Sequence, residues 1–222
     1  MTSKKLILID DHALMRLGIK EWLEKHSLWQ VAYLLDSMNT VKSFLGEIAM
    51  LTPSEKNKIV AIVDLSFRTE NKADEDGYEN VGFEIIKMIK EANPNIPCIV
   101  FSSFDSAGFV ERAMSSEIGA SGYVSKSASE AVLLQAIESV ANGGTYIQQN
   151  LMGRLLEIKN IYSAFTKKEK LVIDLIAQGL KNDEIAERMQ IGQRTVENYI
   201  SHLYDKTDTD NKIKLLEKLG LR

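Results

Sequence analysis

The sequence predicts an α/β fold, a doubly wound five-stranded parallel sheet, followed by an all-α domain of four helices. Two observations carry this expectation. Up to Asn142, short apolar runs alternate with amphipathic stretches, the pattern of a parallel sheet covered by helices on both faces. From Asn142-Gly143-Gly144 onward the strand signal disappears and helical periodicity takes over. A chain of 222 residues is long for one ordinary domain and comfortable for two.

Strands are expected at Leu6–Ile9, Gln30–Leu35, Ile59–Val63, Cys98–Phe101 and Gly122–Val124. Helices are expected between and after them, at Ala13–Lys25, Asn39–Met50, Phe83–Ala92, Ala107–Ile118 and Glu130–Asn142. Ser127 and Glu130 have the spacing of a capping box at the start of the last of these. Five such units imply the strand order 2-1-3-4-5, with ligands at the carboxyl ends of the strands. Leu151–Ile161 reads as a short linker helix, and four helices follow at Lys167–Gln178, Asp183–Met189, Gln193–Lys206 and Lys212–Leu219. Gly179 is placed to end the first of these four in a left-handed conformation. The expected domains are residues 1–145, a linker over 146–163, and residues 164–222.

The composition, 45% apolar and 26% charged, is that of a globular protein. No apolar run approaches the roughly 18 residues of a membrane span, so no membrane role and a cytoplasmic location are expected. Cys98 is the only cysteine and sits in an apolar stretch, which suits a core residue in a reducing compartment. The formal net charge is -4. Residues 1–150 carry 14 Lys/Arg against 20 Asp/Glu, and residues 164–222 carry 11 against 10. The acidic excess is therefore N-terminal, which suits a cation site there.

Asp10 and Asp11 end the first strand, and Asp64 ends the third. In the 2-1-3 order these strands are neighbours, so the three carboxylates converge. Without a cation they would repel and raise their own pKa values. Mg²⁺, a hard ion satisfied by one or two carboxylates plus waters and phosphate oxygens, resolves this. An Asp fixed at a strand end is also a nucleophile able to form an aspartyl phosphate. Lys126, after strand five, can neutralise a phosphoryl oxygen, and Ser102, ending strand four, can donate a hydroxyl to another. Each residue alone is ordinarily a turn residue, strand cap or surface charge; their joint placement carries the reading. His12 is read as a helix-start residue, because Mg²⁺ does not favour imidazole.

The segments "ILIDDH", "VAIVDLS", "IVFSS" and "GASGYVSKSAS" resemble the receiver domain of two-component response regulators, over Leu6 to about Asn142. The resemblance implies Asp64 as phosphoacceptor, Asp10 and Asp11 as Mg²⁺ ligands, and Ser66 contributing its backbone carbonyl to the ion. It also implies Ser102 as the switch hydroxyl, Tyr123 as the switch aromatic and Lys126 as the phosphoryl-binding lysine. One departure stands out. The family usually has Gly about eight positions after the phosphoacceptor, whereas Gly82 lies 18 positions after Asp64. The intervening loop Phe67–Val81 carries Glu70, Asp74, Glu75, Asp76 and Glu79, and reads as a lid, a partner-recognition element or a solvated insertion.

In the second half, Ile185, Ala186 and Met189 give one helix an apolar stripe. Ile191-Gly192 is expected to make a tight turn, and Val196, Ile200 and Leu203 give the next helix its buried face. This is helix-turn-helix punctuation. The opposite face carries Gln193, Arg194, Thr195, Asn198, Ser201 and His202, groups of the kind that read base edges or hold phosphates. Thr166 with Glu169, "QGLKNDEIA", "RTVENYI" and Lys206 resemble the LuxR-type domain of NarL/FixJ regulators, from about Phe165 onward. The resemblance implies Gln193–Lys206 as the DNA recognition helix, with the last helix as a dimerisation element. Where the family usually has Lys and then His after "TV", this chain has Glu197 and Tyr199. Lys181, Arg188, Arg194 and Lys206 remain as phosphate contacts.

The leading expectation is therefore a transcription regulator, not an enzyme, phosphorylated by a sensor histidine kinase and binding DNA as a homodimer when phosphorylated. A second reading is a receiver acting mainly through protein partners, with a weakly binding helix-turn-helix. A third, a Mg²⁺-dependent phosphohydrolase, usually wants a second Asp two positions beyond the nucleophile, where this chain has Ser66.

Overall fold

The computed structural model describes residues 4–50, 59–66 and 81–221. Residues 67–80, nearly all of the acidic loop read from the sequence, lie outside the described residues. The chain divides into two compact units, residues 1–105 with 110–149, and residues 106–109 with 150–222.

The first unit is built on a parallel sheet of strands β1 (Lys4–Ile9), β2 (Trp29–Leu35), β3 (Ile59–Val63), β4 (Cys98–Ser102), β5 (Gly122–Ser125) and β6 (Tyr146–Ile147). The order is β2-β1-β3-β4-β5-β6, so the expected order holds and a sixth strand extends it. Central strands are apolar throughout because helices cover both faces: all five residues of β3 and all five of β4 are buried. Edge strand β2 alternates more, with Gln30 and Ala32 exposed. The helices are α1 (Ala13–His26), α2 (Met38–Met50), α3 (Val81–Ala92), α4 (Ala107–Met114) and α5 (Glu130–Ala141). Leu8, Leu23, Trp29, Ile62, Ile99 and Ile137 belong to one continuous core between sheet and helices.

Four local expectations are corrected. Strand β6 falls at the start of the stretch expected to be linker; Tyr146 N–H donates to Ser121 O (3.0 Å) and Gln148 N–H to Tyr123 O (3.0 Å). Two residues carry no periodicity, so only the open edge of β5 makes them a strand. Helix α4 stops at Met114 instead of Ile118, where Ser115 Oγ donates to Arg112 O (2.7 Å) and competes with the helical ladder. Ser127 caps nothing: its hydroxyl pairs with Ser125 Oγ (2.8 Å), and Ser129 occupies the N-cap of α5. In the helix-turn-helix the left-handed residue is Gln190 (φ 54°), while Gly192 has an ordinary φ of -71° as N-cap of the next helix.

The second unit contains α6 (Gln149–Ser163), α7 (Lys167–Ala177), α8 (Asn182–Met189), α9 (Gln193–Thr207) and α10 (Lys212–Lys218). Val172, Ile176, Ile185, Val196, Leu203 and Leu215 are buried in its own core. Gly179, with φ 84°, ends α7 as expected. Among the described residues no helix is long and apolar enough to cross a membrane.

Gly82, in the first turn of α3, packs against the chain just after β3. A Cβ there would fall against the Asp64 carbonyl oxygen and 2.6 Å from Leu65 Cα, both backbone atoms. Gly82→Ala is expected to destabilise the first unit by about 1–3 kcal/mol, the range for overpacking, read as a lower urea midpoint at unchanged m.

Candidate functional site

The register of β1 against β3 builds the acidic site. Ile9 pairs with Val63, so the next residues, Asp10 and Asp64, leave the sheet side by side, and Asp64 N–H donates to Ile9 O (2.9 Å). Both side chains are nearly inaccessible, at 2% and 1% exposure. Lys126, just beyond β5, is held by its N–H to Ser102 O (2.8 Å) and reaches across β4. Its Nζ lies 2.7 Å from Asp10 Oδ2 and 2.7 Å from Asp64 Oδ2. Burial by itself would lower the Lys126 pKa, but the hydrogen bonds from both carboxylates outweigh it and hold the ammonium above its usual value. The second oxygen of Asp64 accepts from Ser66 N–H (3.1 Å) and Ser66 Oγ–H (3.3 Å).

Asp11 and His12 complete the cluster. One ligand atom from each of Asp10, Asp11, His12 and Asp64 lies within 4.8 Å of the others. His12 is the N-cap of α1, as its helix-start reading implies, but its side chain makes no cap bond. Its N–H donates to Asp10 Oδ1 (2.7 Å), and its Nδ1 lies 2.9 Å from Asp11 Oδ1 and 3.2 Å from Asp10 Oδ1. Three carboxylates against the Lys126 ammonium form an acidic cluster able to hold a metal ion, and oxygen-rich donors of this kind fit a hard divalent cation.

Ser102 and Tyr123 are both fully buried and meet at one residue. Ser102 Oγ accepts from Phe104 N–H (3.2 Å), and the Tyr123 hydroxyl donates to Phe104 O. Burial, with Asp105 and Asp64 nearby, pushes the Tyr123 phenol far up, so it remains a donor. Cys98 is buried and its thiol is pushed up to about 12, which keeps it an inert core residue.

In the second unit, Val196, Ile200 and Leu203 face inward from α9. Gln193, Arg194, Thr195, Asn198, Ser201 and His202 are exposed on its other side, and Lys181 and Arg188 are exposed on and beside α8. Glu197 is also exposed there, accepting from Gln193 Nε2 (3.3 Å). Lys206 is placed differently from the other cations. Its ammonium donates to Glu169 Oε1 (2.8 Å) and Oε2 (2.9 Å) and to Ala164 O (3.1 Å), so its charge is engaged inside the unit and not offered to a phosphate. Glu169 is the partner that the sequence reading placed only in an entry motif. It also accepts from Thr166 N–H (2.7 Å), closing a capping box on α7.

Residues 163–219 match the family of bacterial regulatory proteins called the luxR family. The whole chain is similar to the transcriptional regulatory protein YdfI of Bacillus subtilis (strain 168), 26% identical with 94% of this chain and 91% of that protein covered. It is similar to the DNA-binding transcriptional activator DevR/DosR of Mycobacterium tuberculosis (strain ATCC 25618 / H37Rv), 25% identical over 94% of this chain and 90% of that one. The response regulator protein VraR of Staphylococcus saprophyticus is 26% identical over 94% and 92%. The chain belongs to the NarL/FixJ response regulators. A solved complex of two RcsB dimers on two parallel DNAs shares the fold of this response regulator, with a TM-score of 0.69 at 23% identity and 99% of each chain covered.

The Glu169–Lys206 pair has a measurable weight. Burial would raise the Glu169 carboxyl, but Lys206 and the Thr166 bonds hold it below its usual 4.5. A carboxyl depressed by folding stabilises the fold above its unfolded pKa and loses that contribution as pH falls through the folded one. Lys206→Met should cost about 1–3 kcal/mol at neutral pH, less than a fully buried pair because Lys206 is 35% exposed. Urea titrations should show this difference shrinking as the pH drops below 4.5.

Proposed function

We propose that this response regulator is a DNA-binding transcription regulator switched by transfer of a phosphoryl group from a sensor histidine kinase to Asp64. The observation that supports this most is the setting of Asp64, fixed at the end of β3 between the Lys126 ammonium and the Ser66 hydroxyl and N–H. A carboxylate so held is pre-oriented for attack. Its oxygen forms a bond to phosphorus as the phosphorus–nitrogen bond of a phosphohistidine breaks, and the electron pair leaves with the imidazole. Mg²⁺, with Asp10, Asp11, Asp64 and the Ser66 carbonyl as its protein ligands, would neutralise charge on the phosphoryl oxygens when bound. Lys126 would exchange one carboxylate partner for a phosphoryl oxygen.

Ser102 and Tyr123 suit the switch because both hold Phe104. A Ser102 hydroxyl turned toward a phosphoryl oxygen releases the Phe104 N–H, and the loop that moves carries the acceptor of Tyr123 with it. The receiver is assigned to residues 1–145, the linker to 146–163 and the DNA-binding domain to 164–222, with β6 moving the structural edge of the receiver to Ile147. On DNA, α9 would enter the major groove with Gln193, Thr195, Asn198, Ser201 and His202 toward base edges, and Lys181, Arg188 and Arg194 on phosphates. Lys206 is left out of that set, since its ammonium serves Glu169. A homodimer formed on phosphorylation, acting in the cytoplasm, completes the reading. The reading through protein partners alone is disfavoured, because curated relatives over nine-tenths of their length carry DNA-binding names.

A small phosphodonor with Mg²⁺ should add one hydroxylamine-labile phosphoryl group, and Asp64→Asn should abolish it. Intact-mass spectra with equal labelling of the variant would end the assignment.

Glu197 places a carboxylate where a polyanion approaches. Glu197→Lys should therefore tighten binding to all duplex sequences and steepen the log–log salt dependence by about one. Fluorescence anisotropy at several salt concentrations reads both, and weaker binding by the variant would instead mean that Glu197 accepts from a base.

A further inference from the structure

We propose that His12 is a nitrogen donor to the cation held by Asp10, Asp11 and Asp64, and that it tunes this site toward divalent transition metals of the cobalt–nickel–zinc class. The inference rests on the proposed cation site and concerns which ion that site selects. A histidine at the start of a helix has an ordinary structural role, capping the free N–H groups, and here the ring does not play it. Its Nδ1 is turned into the carboxylate cluster, 2.9 Å from Asp11 Oδ1 and 3.2 Å from Asp10 Oδ1. An octahedral ion with bonds of about 2.1 Å puts neighbouring donors about 3 Å apart and opposite donors about 4.2 Å apart. The His12 separations match neighbouring donors, and the 4.8 Å span of the whole cluster is slightly wider than opposite ones. Small side-chain rotations therefore bring all four atoms onto one ion. The ring is 53% exposed, so little packing opposes such a rotation.

Chemistry gives the direction of the preference. Mg²⁺ binds oxygen and keeps much of its water, and it gains little from an imidazole. Cobalt, nickel and zinc ions gain strongly from one, and neutral imidazole is the commonest ligand for such metals. A site with oxygen donors alone would separate Mg²⁺ from these ions less.

Calorimetric titration of the full chain with Co²⁺ and with Mg²⁺ tests the idea. His12→Ala and His12→Gln are each expected to weaken Co²⁺ binding about tenfold or more while changing Mg²⁺ binding less than about twofold. Asp11→Asn should weaken both ions. In ¹⁵N-histidine-labelled protein, Zn²⁺ should shift one imidazole Nδ1 resonance of the three histidines, and that resonance should be missing from His12→Ala. Unchanged Co²⁺ affinity in both His12 variants, or equal losses for Co²⁺ and Mg²⁺, would overturn the role of His12 while leaving the acidic site intact. Unaltered binding of both ions in Asp11→Asn would instead remove the acidic site itself, and the inference with it.

Discussion

Asp10 and Asp64 are nearly buried carboxylates on adjacent strands, and repulsion between them is weakly screened in such a setting. The Lys126 ammonium, 2.7 Å from both, makes that arrangement stable. Much of the first unit serves this contact. The β1–β3 register sets the carboxylates side by side, β4 separates them from β5, and the Lys126 N–H bond to Ser102 O fixes the root of the lysine. Gly82 lets α3 close against the backbone of Asp64 and Leu65. The site is thus a charge balance poised for change, because any ligand that brings anionic oxygens competes for the same ammonium.

That balance connects to the rest of the receiver through short links. Lys126 bonds the carbonyl of Ser102, Ser102 holds the N–H of Phe104, and Phe104 accepts from Tyr123. Each link is one hydrogen bond in a buried place, where an unmade bond costs about 1–3 kcal/mol. A rearrangement at Asp64 therefore has a physical path to the loop after β4 without a large movement of the sheet.

The second unit uses the same device for a different end. Glu169 and Lys206 form an ion pair that ties the start of α7 to the end of α9. In doing so it removes a cation from the surface expected to meet DNA. With Glu197 also on that surface, the electrostatic attraction of one domain for a phosphate backbone is modest, and pairing of two domains becomes the natural source of affinity.

The sequence by itself determined the alternation of strands and helices, the strand order, and the positions of Asp10, Asp64, Ser102 and Lys126 at strand ends. These follow from local periodicity and from the few ways parallel strands connect. The apolar faces of α8 and α9 were equally legible, because a buried stripe at helical spacing is written in consecutive residues. Other features were decided only by the tertiary structure. Tyr146–Ile147 became a strand because β5 offered an unpaired edge, and α4 ended early because Ser115 took a carbonyl of its own helix. Lys206 was drawn from a DNA-facing role to a partner 37 positions away, and the ring of His12 was turned toward two carboxylates and not its own helix. A side chain's partner depends on which groups the fold brings within about 3 Å, and sequence spacing does not contain that distance.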